Sequence, residues 1–398
     1  MVKFPMRIFN NHPTILVLSG GVELPGIGEL EKILEDLGKA DPESFQIFSD
    51  IFLVESSQGN MLFPESFKEK AREYFGIKKD GRVIESQDQV LGRLERQGII
   101  SIYNHWTGEG SLFNSLRAER PGISRDEWEN ELRVIDEQVK SSTPGCDFCQ
   151  PEKYTPEDVF GRIKGRHCIT GANIAKYDAW SSIIFFNRHH PLRFNYKEVA
   201  DYLETGWSWF LRVQEQDPDY GYPTFLWNCL PRAGASQIHG HAQILMSKRP
   251  YAKFRALLDG VTRYRQEKDR DYFQDLYRCH QAVGLATGDV DLGVIASLTP
   301  VKEKELIILS QKSPYQSDRV KKTIYSVLRI FLDVLGVTSF NLSIMGPGLD
   351  QEKDAPHLVR MVDRGSMLKN TNDIGAMELY GSSVIANDPY QVIKALRQ

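Results

Sequence analysis

Apolar residues recur every three to four positions in several stretches of the chain, which is the spacing of an amphipathic helix. Tyr196 to Gln216 and Ser317 to Leu335 show this pattern most clearly, and Gly336 is a typical residue just beyond a helix end. Gly28 to Leu37 and Ser66 to Phe75 also predict helices. These four segments indicate helices in both the N-terminal and the C-terminal parts of the chain.

Short runs of β-branched and aromatic residues predict the strands. The predicted strands are Pro13–Gly21, Ser181–Phe186, Pro223–Leu230, Ser236–Met246, Leu292–Leu298, Glu305–Ser310, Ser339–Met345 and Pro356–Val362. From Ile99 onward the order strand, helix, strand, loop, strand occurs twice, with a charged, helical segment from Tyr251 to His280 in between. We interpret this order as a tandem duplication. It divides the chain into a separate N-terminal unit (1–98), a first half (99–250) and a second half (251–398).

The duplication also predicts which half carries chemistry. In the internal alignment His357 takes the place of His239, and Val359 takes the place of His241. Because a valine cannot replace a histidine in catalysis, we expect the second half to be inactive.

The composition excludes several classes of protein. The 398 residues are 41% apolar and 26% charged, which is ordinary for a globular chain with a buried core. A net charge of −4 argues against a nucleic-acid partner, and no apolar run approaches the roughly 20 residues of a membrane span. The five cysteines form an odd set without a leader segment, which predicts a reducing cytoplasm and a metal or redox role for a Cys-x-x-Cys pair.

The most informative stretch is Ser236 to Gln243, which contains His239, His241 and Gln243 at alternate positions. On a strand these three side chains would share one face. The preceding Gly234-Ala235-Ser236 could present backbone N–H groups and a hydroxyl to an anion. Imidazole can attack phosphorus and carry a nucleotidyl group as a phosphoramidate, so the stretch suits phosphoryl or nucleotidyl transfer. The alternative is a set of polar residues on a solvent-facing strand.

Two further motifs carry candidate chemistry. Cys146 and Cys149 need two more ligands for a tetrahedral zinc site, and His190 and His239 are the predicted partners in a closed, structural site. A reduced pair of thiols in a loop is the alternative. Arg117 and Arg120 could grip phosphate oxygens in bidentate fashion, although alone they also suit a solvated surface pair.

Together the motifs resemble the galactose-1-phosphate uridylyltransferase-like family of the histidine-triad superfamily. Four blocks match in order: Thr107-Gly-Glu through Arg117, Arg120 and Pro121; Cys146 and Cys149; the histidine after a strand, matched to His190; and Asn228, Gly234, Ser236, His239, His241 and Gln243 at the family spacing. The resemblance covers about residues 100 to 385. It implies an α+β fold of tandem histidine-triad-like halves, an antiparallel sheet flanked by helices, with an N-terminal α/β extension outside the resemblance.

The resemblance implies a role for each matched residue. His241 would be the nucleophile and His239 would complete the zinc site. The implied phosphate and substrate ligands are Gln243, Ser236, Arg117, Arg120, Asn173, Asn228, Gly234, Ala235 and Glu378. The implied reaction is ping-pong transfer of a nucleoside monophosphate from a nucleotide sugar to a sugar phosphate or phosphate, in a cytoplasmic homodimer with its active site at the dimer interface.

Several positions depart from the family pattern. Gly240 stands where proline is usual between the histidines, and Ala172-Asn173-Ile174-Ala175 lacks the usual aspartate. The lysine and aromatic residue that precede the family's hexose-binding glutamate are absent before Glu378. Base and sugar therefore stay open. An ADP-sugar, GDP-sugar or diadenosine polyphosphate phosphorylase is the first alternative, and a non-catalytic, zinc-stabilised nucleotide-binding protein is the second.

Overall fold

The computed structural model describes residues 25–76, 78–79, 82–118, 125–349, 355–369 and 371–397. The helices are α1 (Leu30–Ala40), α2 (Pro42–Ile51), α3 (Glu65–Phe75), α4 (Gln87–Glu95), α5 (Ser115–Ala118), α6 (Arg125–Ser142), α7 (Pro151–Tyr154), α8 (Tyr196–Gln216), α9 (Ala252–Lys268), α10 (Tyr272–Ala282), α11 (Asp318–Asp333), α12 (Ala376–Tyr380) and α13 (Pro389–Arg397). Short 3-10 helices lie at Ile27–Glu29, Asp147–Cys149 and Pro231–Ala233. None of the helices in these described ranges is long and apolar enough to cross a membrane.

The strands follow the predicted order closely. They are β1 (Phe52–Asn60), β2 (Lys78–Lys79), β3 (Arg82–Val83), β4 (Arg96–Asn104), β5 (Gly110–Phe113), β6 (Cys168–Ala172), β7 (Trp180–Phe186), β8 (Tyr222–Cys229), β9 (His241–Ser247), β10 (Ala286–Gly288), β11 (Leu292–Ala296), β12 (Leu306–Ser310), β13 (Phe340–Met345), β14 (His357–Asp363) and β15 (Ser383–Ile385). The strand predicted at Pro13–Gly21 lies outside the described residues.

The predicted helices are confirmed, with one refinement. α8 has the predicted bounds, and Asn195 accepts the Glu198 N–H as its N-cap. α11 is capped by Ser317, and Gly336 has a φ of 65° just beyond its end. The charged segment between the halves forms two helices, α9 and α10, because Asp269 adopts a left-handed conformation and ends the first.

Within the described residues, nine strands form one sheet in the order β10-β11-β12-β14-β13-β8-β9-β7-β6. All neighbouring strands in it run antiparallel. The order is symmetric about the β13–β8 pair, since β8, β9, β7 and β6 on one side mirror β13, β14, β12 and β11 on the other. This symmetry confirms the tandem duplication and the predicted antiparallel α+β architecture.

The two faces of this sheet differ in what covers them. On one face Gly206 of α8 lies 3.5–3.7 Å, measured from a Cβ position, from Ile184, Ile244 and Phe225, and α11 packs beside α8. The opposite face, here called the site face, carries a row of directly paired residues. Reading across β9, β8, β13 and β14, the row is Gln243, Leu226, Ser343 and Arg360, with His241 two residues before Gln243.

The internal alignment of the two halves needs correction. Val359 pairs with Ile344, which pairs with Phe225 on the helix-covered face. Because side chains alternate along a strand, Val359 cannot be the counterpart of His241 on the site face. The site-face residues of β14 are Leu358 and Arg360, so the alignment is displaced by an odd number of residues.

The N-terminal segment is continuous with the rest of the molecule. β1 pairs along its whole length with β4, and β4 contains the predicted boundary at residue 98. The same four-stranded sheet, β1-β4-β5-β15, takes its last strand from the C-terminal region. Ile27 and Leu30 belong to one hydrophobic core with Ile184 and Ile344. The described part of residues 1–98 therefore shares sheet and core with both halves.

Candidate functional site

His241 is the first residue of β9 and is 5% exposed. Its Nδ1 lies 2.7 Å from the carbonyl oxygen of His239, so Nδ1–H donates and Nε2 keeps its lone pair. Burial lowers the pKa of His241, although the hydrogen bond to His239 works in the opposite direction. The imidazole is therefore neutral near pH 7 and has one nucleophilic nitrogen.

Gln243 follows on the same face of β9, as predicted. Its Nε2 lies 3.5 Å from the hydroxyl of Tyr177, on the loop after β6. Its Oε1 is buried and has no hydrogen-bond partner among the described residues. Buried amides are normally satisfied, so this group has bonding capacity left for a ligand.

The segment before β9 differs from the predicted strand. Ser236 to Gly240 forms bends and turns, so His239 does not share a strand face with His241. The N–H groups of Gly234 and Ala235 donate to the carbonyls of Pro231 and Leu230 within the turn. These two backbone donors are therefore occupied, and Ser236, which is exposed, remains the polar group that this segment offers to an anion.

A metal-ligand cluster lies beside this turn. The ligand atoms of Cys146, Cys149, His189 and His239 all lie within 4.8 Å of one another. Both thiol sulfurs are 3.5 Å from His239 Nδ1, and Cys149 Sγ is 3.2 Å from His189 Nδ1. Around tetrahedral zinc, sulfur and nitrogen ligands are separated by about 3.6 Å, given bonds of about 2.3 and 2.05 Å. The donor set and its spacing fit zinc.

The other ring nitrogen of each cluster histidine is also engaged. His239 Nε2 donates to the Phe186 carbonyl at 2.6 Å, and His189 Nε2 lies 3.0 Å from the Ser142 hydroxyl. Such outer contacts fix ring orientation in metal sites. Burial lowers the pKa of His239 to about 4 and lowers that of His189 too, so both rings are neutral.

His190, the predicted fourth ligand, lies outside the cluster. Its Nε2 is 2.8 Å from Asp136 of α6, and its Nδ1 accepts the Leu192 N–H at 3.2 Å. Both ring nitrogens are thus used, and neither is available to a metal. The ligand assignment is corrected to His189, the preceding residue.

Phe148, between the two cysteines, connects the cluster with His241. Its ring meets that of His241 edge-on at 5.3 Å, that of His239 at 5.9 Å and that of Phe185 at 4.5 Å. No motif in the sequence points to this phenylalanine. The ring forms an apolar wall against the imidazole and contributes to its burial.

The remaining predicted ligands are spread more widely. Asn173 is half-buried at the end of β6, next to exposed Ile174, which is 85% accessible. Glu378 accepts the Gly375 N–H at 2.9 Å in its own short helix. Burial would raise the pKa of Glu378, but backbone hydrogen bonds and the nearby charges of Lys302 and Arg117 lower it overall. Arg117 is exposed on α5.

Arg120 lies outside the described residues. Among those that are described, no hydrogen bond links Arg117 or Glu378 to His241, Gln243 or Ser236. The structure therefore brings together His241, Gln243 and the metal-ligand cluster, and among the described residues it records no direct hydrogen bond from Arg117 or Glu378 to the first two.

No family model matches this sequence, and no curated protein does either. Comparison with solved structures does find similar folds. ADP-glucose phosphorylase from Arabidopsis thaliana, solved with bound ADP-glucose, superposes with a TM-score of 0.55 at 16% identity, over 74% of this chain and 96% of that chain. A GalT-like protein from Arabidopsis thaliana gives a TM-score of 0.51 at 16% identity, over 64% and 91%.

The protein has a galactose-1-phosphate uridylyltransferase-like fold. The recognition made from the four sequence blocks is thereby confirmed at the level of fold. In this uridylyltransferase-like fold His241 and Gln243 lie on one sheet face, beside the metal-ligand cluster.

A cavity of about 550 Å³ lies on the site face around the β8–β13 pair, where the two halves meet. Leu226 and Asn228 of β8 line it on one side, and Leu226 is the direct neighbour of Gln243. Asn341 and Arg360 of the second half line it on the other side. Asn341 could not be predicted from a sequence motif, because its place in this cavity depends on the pairing of β8 with β13 across the two halves.

Proposed function

We propose that this protein is a nucleotidyltransferase that moves a nucleoside monophosphate through a covalent intermediate on His241. One observation carries the proposal: a buried, neutral imidazole whose Nδ1–H is fixed by a carbonyl at 2.7 Å, so that Nε2 is the nucleophile. The same-face glutamine with a buried, unpartnered Oε1 supports a bound phosphoryl group beside it.

The proposed first step is an in-line displacement at the α-phosphorus of a nucleotide sugar. His241 Nε2 attacks, a nitrogen–phosphorus bond forms, and the bond from the α-phosphorus to the bridging oxygen breaks. The sugar 1-phosphate leaves with the electron pair of that bond. In the second step an acceptor phosphate oxygen attacks the same phosphorus, and the imidazole leaves in its neutral form.

The neighbouring residues would bind the donor and stabilise its developing charge. Gln243 and Ser236 are the proposed donors to the non-bridging oxygens. Asn228 would contact the phosphate from the adjacent strand, where it lines the cavity. Asn173 and the exposed aromatic ring of Tyr177, 65% accessible, would flank the nucleoside.

Zinc is the proposed resident metal of the cluster. Cys146, Cys149, His189 and His239 would hold it in a closed four-ligand site, which leaves no open position for substrate. The proposed contribution of zinc is structural, since it would connect the Cys-x-x-Cys loop and the loop after β7 to His239, two residues before His241.

The acceptor distinguishes the two enzymatic alternatives. A uridylyltransferase needs a pocket for a hexose 1-phosphate, whereas a phosphorylase takes inorganic phosphate. Glu378, the predicted hexose ligand, already caps its own helix through Gly375. This favours the phosphorylase alternative, which is also the activity of the ADP-glucose phosphorylase whose fold is similar.

The test is intact-protein mass spectrometry after incubation with UDP-, ADP- or GDP-glucose. We expect a nucleoside-monophosphate adduct on the wild type that is lost in acid and absent from His241→Ala. His105→Ala, at an exposed histidine, is the matched control and should label like the wild type. Adding phosphate or galactose 1-phosphate to labelled protein identifies the acceptor by the product released. An adduct that persists in His241→Ala would overturn the proposal, and no adduct with any donor would favour a binding protein.

A further inference from the structure

The second half, although it lacks the histidine, holds the turn that leads to the catalytic strand. This turn, Cys229 to Ala235, connects β8 to the His239–His241 segment and is here called the β8 turn. Ser339 donates its hydroxyl to the Cys229 carbonyl at 2.9 Å. Arg232 of the turn donates through Nε to the Arg364 carbonyl at 3.1 Å. The turn is thus bound to second-half residues at its first residue and at its middle.

Backbone strain in the β8 turn shows why it needs this support. Leu230 has a φ of 71°, a left-handed conformation that is unfavourable for a residue with a Cβ. Such a conformation persists only where the surrounding structure enforces it. Leu230 is itself 1% exposed, and its carbonyl accepts the N–H groups of Ala233 and Ala235.

Asn341 makes the central contacts. It lies on β13 directly opposite Asn228 of β8. Its Nδ2 donates to Asn228 Oδ1 at 2.7 Å and to the Ala233 carbonyl at 2.8 Å. Its Oδ1 accepts from Arg364, which is itself paired with Asp373 at 2.7 and 3.0 Å. Arg364 therefore fixes which end of the Asn341 amide is the donor.

The consequence for Asn228 follows from hydrogen-bond directionality. Because Asn341 presents its NH₂ group, Asn228 must present its oxygen to Asn341, and its own NH₂ points elsewhere. Among the described residues that NH₂ has no acceptor, and Asn228 lines the site-face cavity on the strand next to that of Gln243. The chain Asp373, Arg364, Asn341, Asn228 thus sets the polarity of an amide on the site face.

We infer that Asn341 is a positioning residue for nucleotidyl transfer, which directs the NH₂ of Asn228 toward the donor's phosphate and anchors the β8 turn. This inference rests on the proposed function. It assigns to the second half a task at the active site of the first, through the strand pair on which the two halves meet.

The main variant is Asn341→Asp, which keeps the size and the acceptor for Arg364 but removes both donated hydrogens. Asn228 can then satisfy residue 341 only by reversing its amide, which turns an oxygen toward the phosphate. Losing one such donor to developing charge costs about 10²–10³-fold in rate, so we expect about 10²-fold slower loading of His241. Asn60→Asp, the same substitution at an exposed residue at the end of β1, is the control and should load like the wild type.

A double-mutant cycle separates positioning from general stability. If Asn341 acts through Asn228, then Asn341→Asp should slow loading by less than about 10-fold in an Asn228→Ala background. A purely structural role would give equal effects in both backgrounds. If Asn341→Asp does not fold, Asn341→Ala removes the donors without placing a carboxylate against two oxygens, and enters the same cycle.

Hydrogen exchange of residues 229–240 supplies a readout that does not need activity. Asn341→Asp should speed exchange there, and Asn60→Asp should not. A wild-type protein that no donor labels would refute the proposed function, while faster exchange in Asn341→Asp would still support the anchoring of the turn. Labelling of wild type and Asn341→Asp at the same rate would overturn the inference.

Discussion

The adjacent histidines 189 and 190 give a sharp test of the metal cluster, because the structure assigns them opposite roles. His189 Nδ1 lies 3.0 Å from His239 Nδ1 and 3.2 Å from Cys149 Sγ. His190 instead bonds Asp136 at 2.8 Å. We expect His189→Ala to lose zinc and His190→Ala to retain it.

The magnitudes of the two effects should also differ. Removing one of four ligands weakens a metal site, and even a 100-fold weaker affinity lowers the free energy of unfolding by about 2.7 kcal/mol at a fixed excess of free zinc. Burial lowers the pKa of His190, so its neutral ring makes a hydrogen bond to Asp136 rather than an ion pair, and Asp136 also keeps Arg193 at 2.8 Å. Losing such a hydrogen bond in His190→Ala costs about 0.5–1.5 kcal/mol.

The assay is zinc content by elemental mass spectrometry after dialysis against a weak chelator, together with thermal unfolding with and without added zinc. His189→Ala should have less zinc, and added zinc should raise its melting temperature less than that of the wild type. His190→Ala should match the wild type in both. Loss of zinc in His190→Ala with retention in His189→Ala would refute the assignment, and a metal-free wild type would refute zinc itself.

Two further predictions concern stability. Gly260 of α9 packs on Trp106, and a Cβ at this glycine would lie 2.1 Å from the Trp106 carbonyl oxygen, so Gly260→Ala should destabilise by about 2 kcal/mol or more in urea unfolding. Gly92 of α4 has open space around it, so Gly92→Ala should stabilise by about 0.5–1 kcal/mol, and equal effects at the two sites would contradict the packing. For Asp50, burial would raise the pKa, but hydrogen bonds and charge from Lys268 and a neighbouring arginine lower it below 3.8. The ionised Asp50 therefore stabilises the folded protein above pH 3.8, and this stabilisation is lost as the pH falls through the lowered pKa. Asp50→Asn should lower the free energy of unfolding by about 3 kcal/mol at pH 7 and should make it fall less steeply with acid. An unchanged fall of the free energy of unfolding in acid would refute this.

The sequence predicted the elements whose patterns are long and regular. α8 has the predicted bounds because its apolar face spans 21 residues and begins at an asparagine cap. The duplication could also be predicted from the order of elements alone. The residue-by-residue alignment of the two copies could not be predicted, because corresponding loops in the two halves differ in length. A shift of one residue moves a strand's side chains to the other face of the sheet.

The positions of candidate-site residues could be predicted where those residues lie on a strand, and could not where they lie in a loop. His241 and Gln243 share a face because both lie on β9. β7 ends at Phe186, so the alternation of side chains along a strand does not extend to residues 189 and 190. The conformation of the loop determines which of the two histidines contacts the thiols. His239 likewise precedes β9, and its ring faces the cluster rather than the site face. Asn341 depends on a pairing between halves, which local patterns do not specify.

The second half differs from the first by more than the absence of a counterpart to His241. Strand pairing makes Arg360 of β14 the counterpart of Gln243 of β9. Arg360 pairs with Ile307 of β12, and Gln243 pairs with Ile183 of β7. The Arg360 guanidinium is bonded to Glu305 at 2.7 Å and to Glu109 at 2.6 Å.

Glu109 comes from the β4–β5 connection, so the N-terminal sheet reaches over the second-half site face. A phosphate placed beside Arg360 would meet the carboxylates of Glu109 and Glu305, and Arg360 is already paired with both. We therefore expect that Leu358→His would not create a second site for nucleotidyl transfer, because these carboxylates disfavour a bound phosphate. If the proposed function holds, the two halves differ in their electrostatics as well as in the histidine: the site face of the first half would accept an anion, whereas Arg360 of the second half binds Glu109 and so joins the N-terminal segment to the sheet.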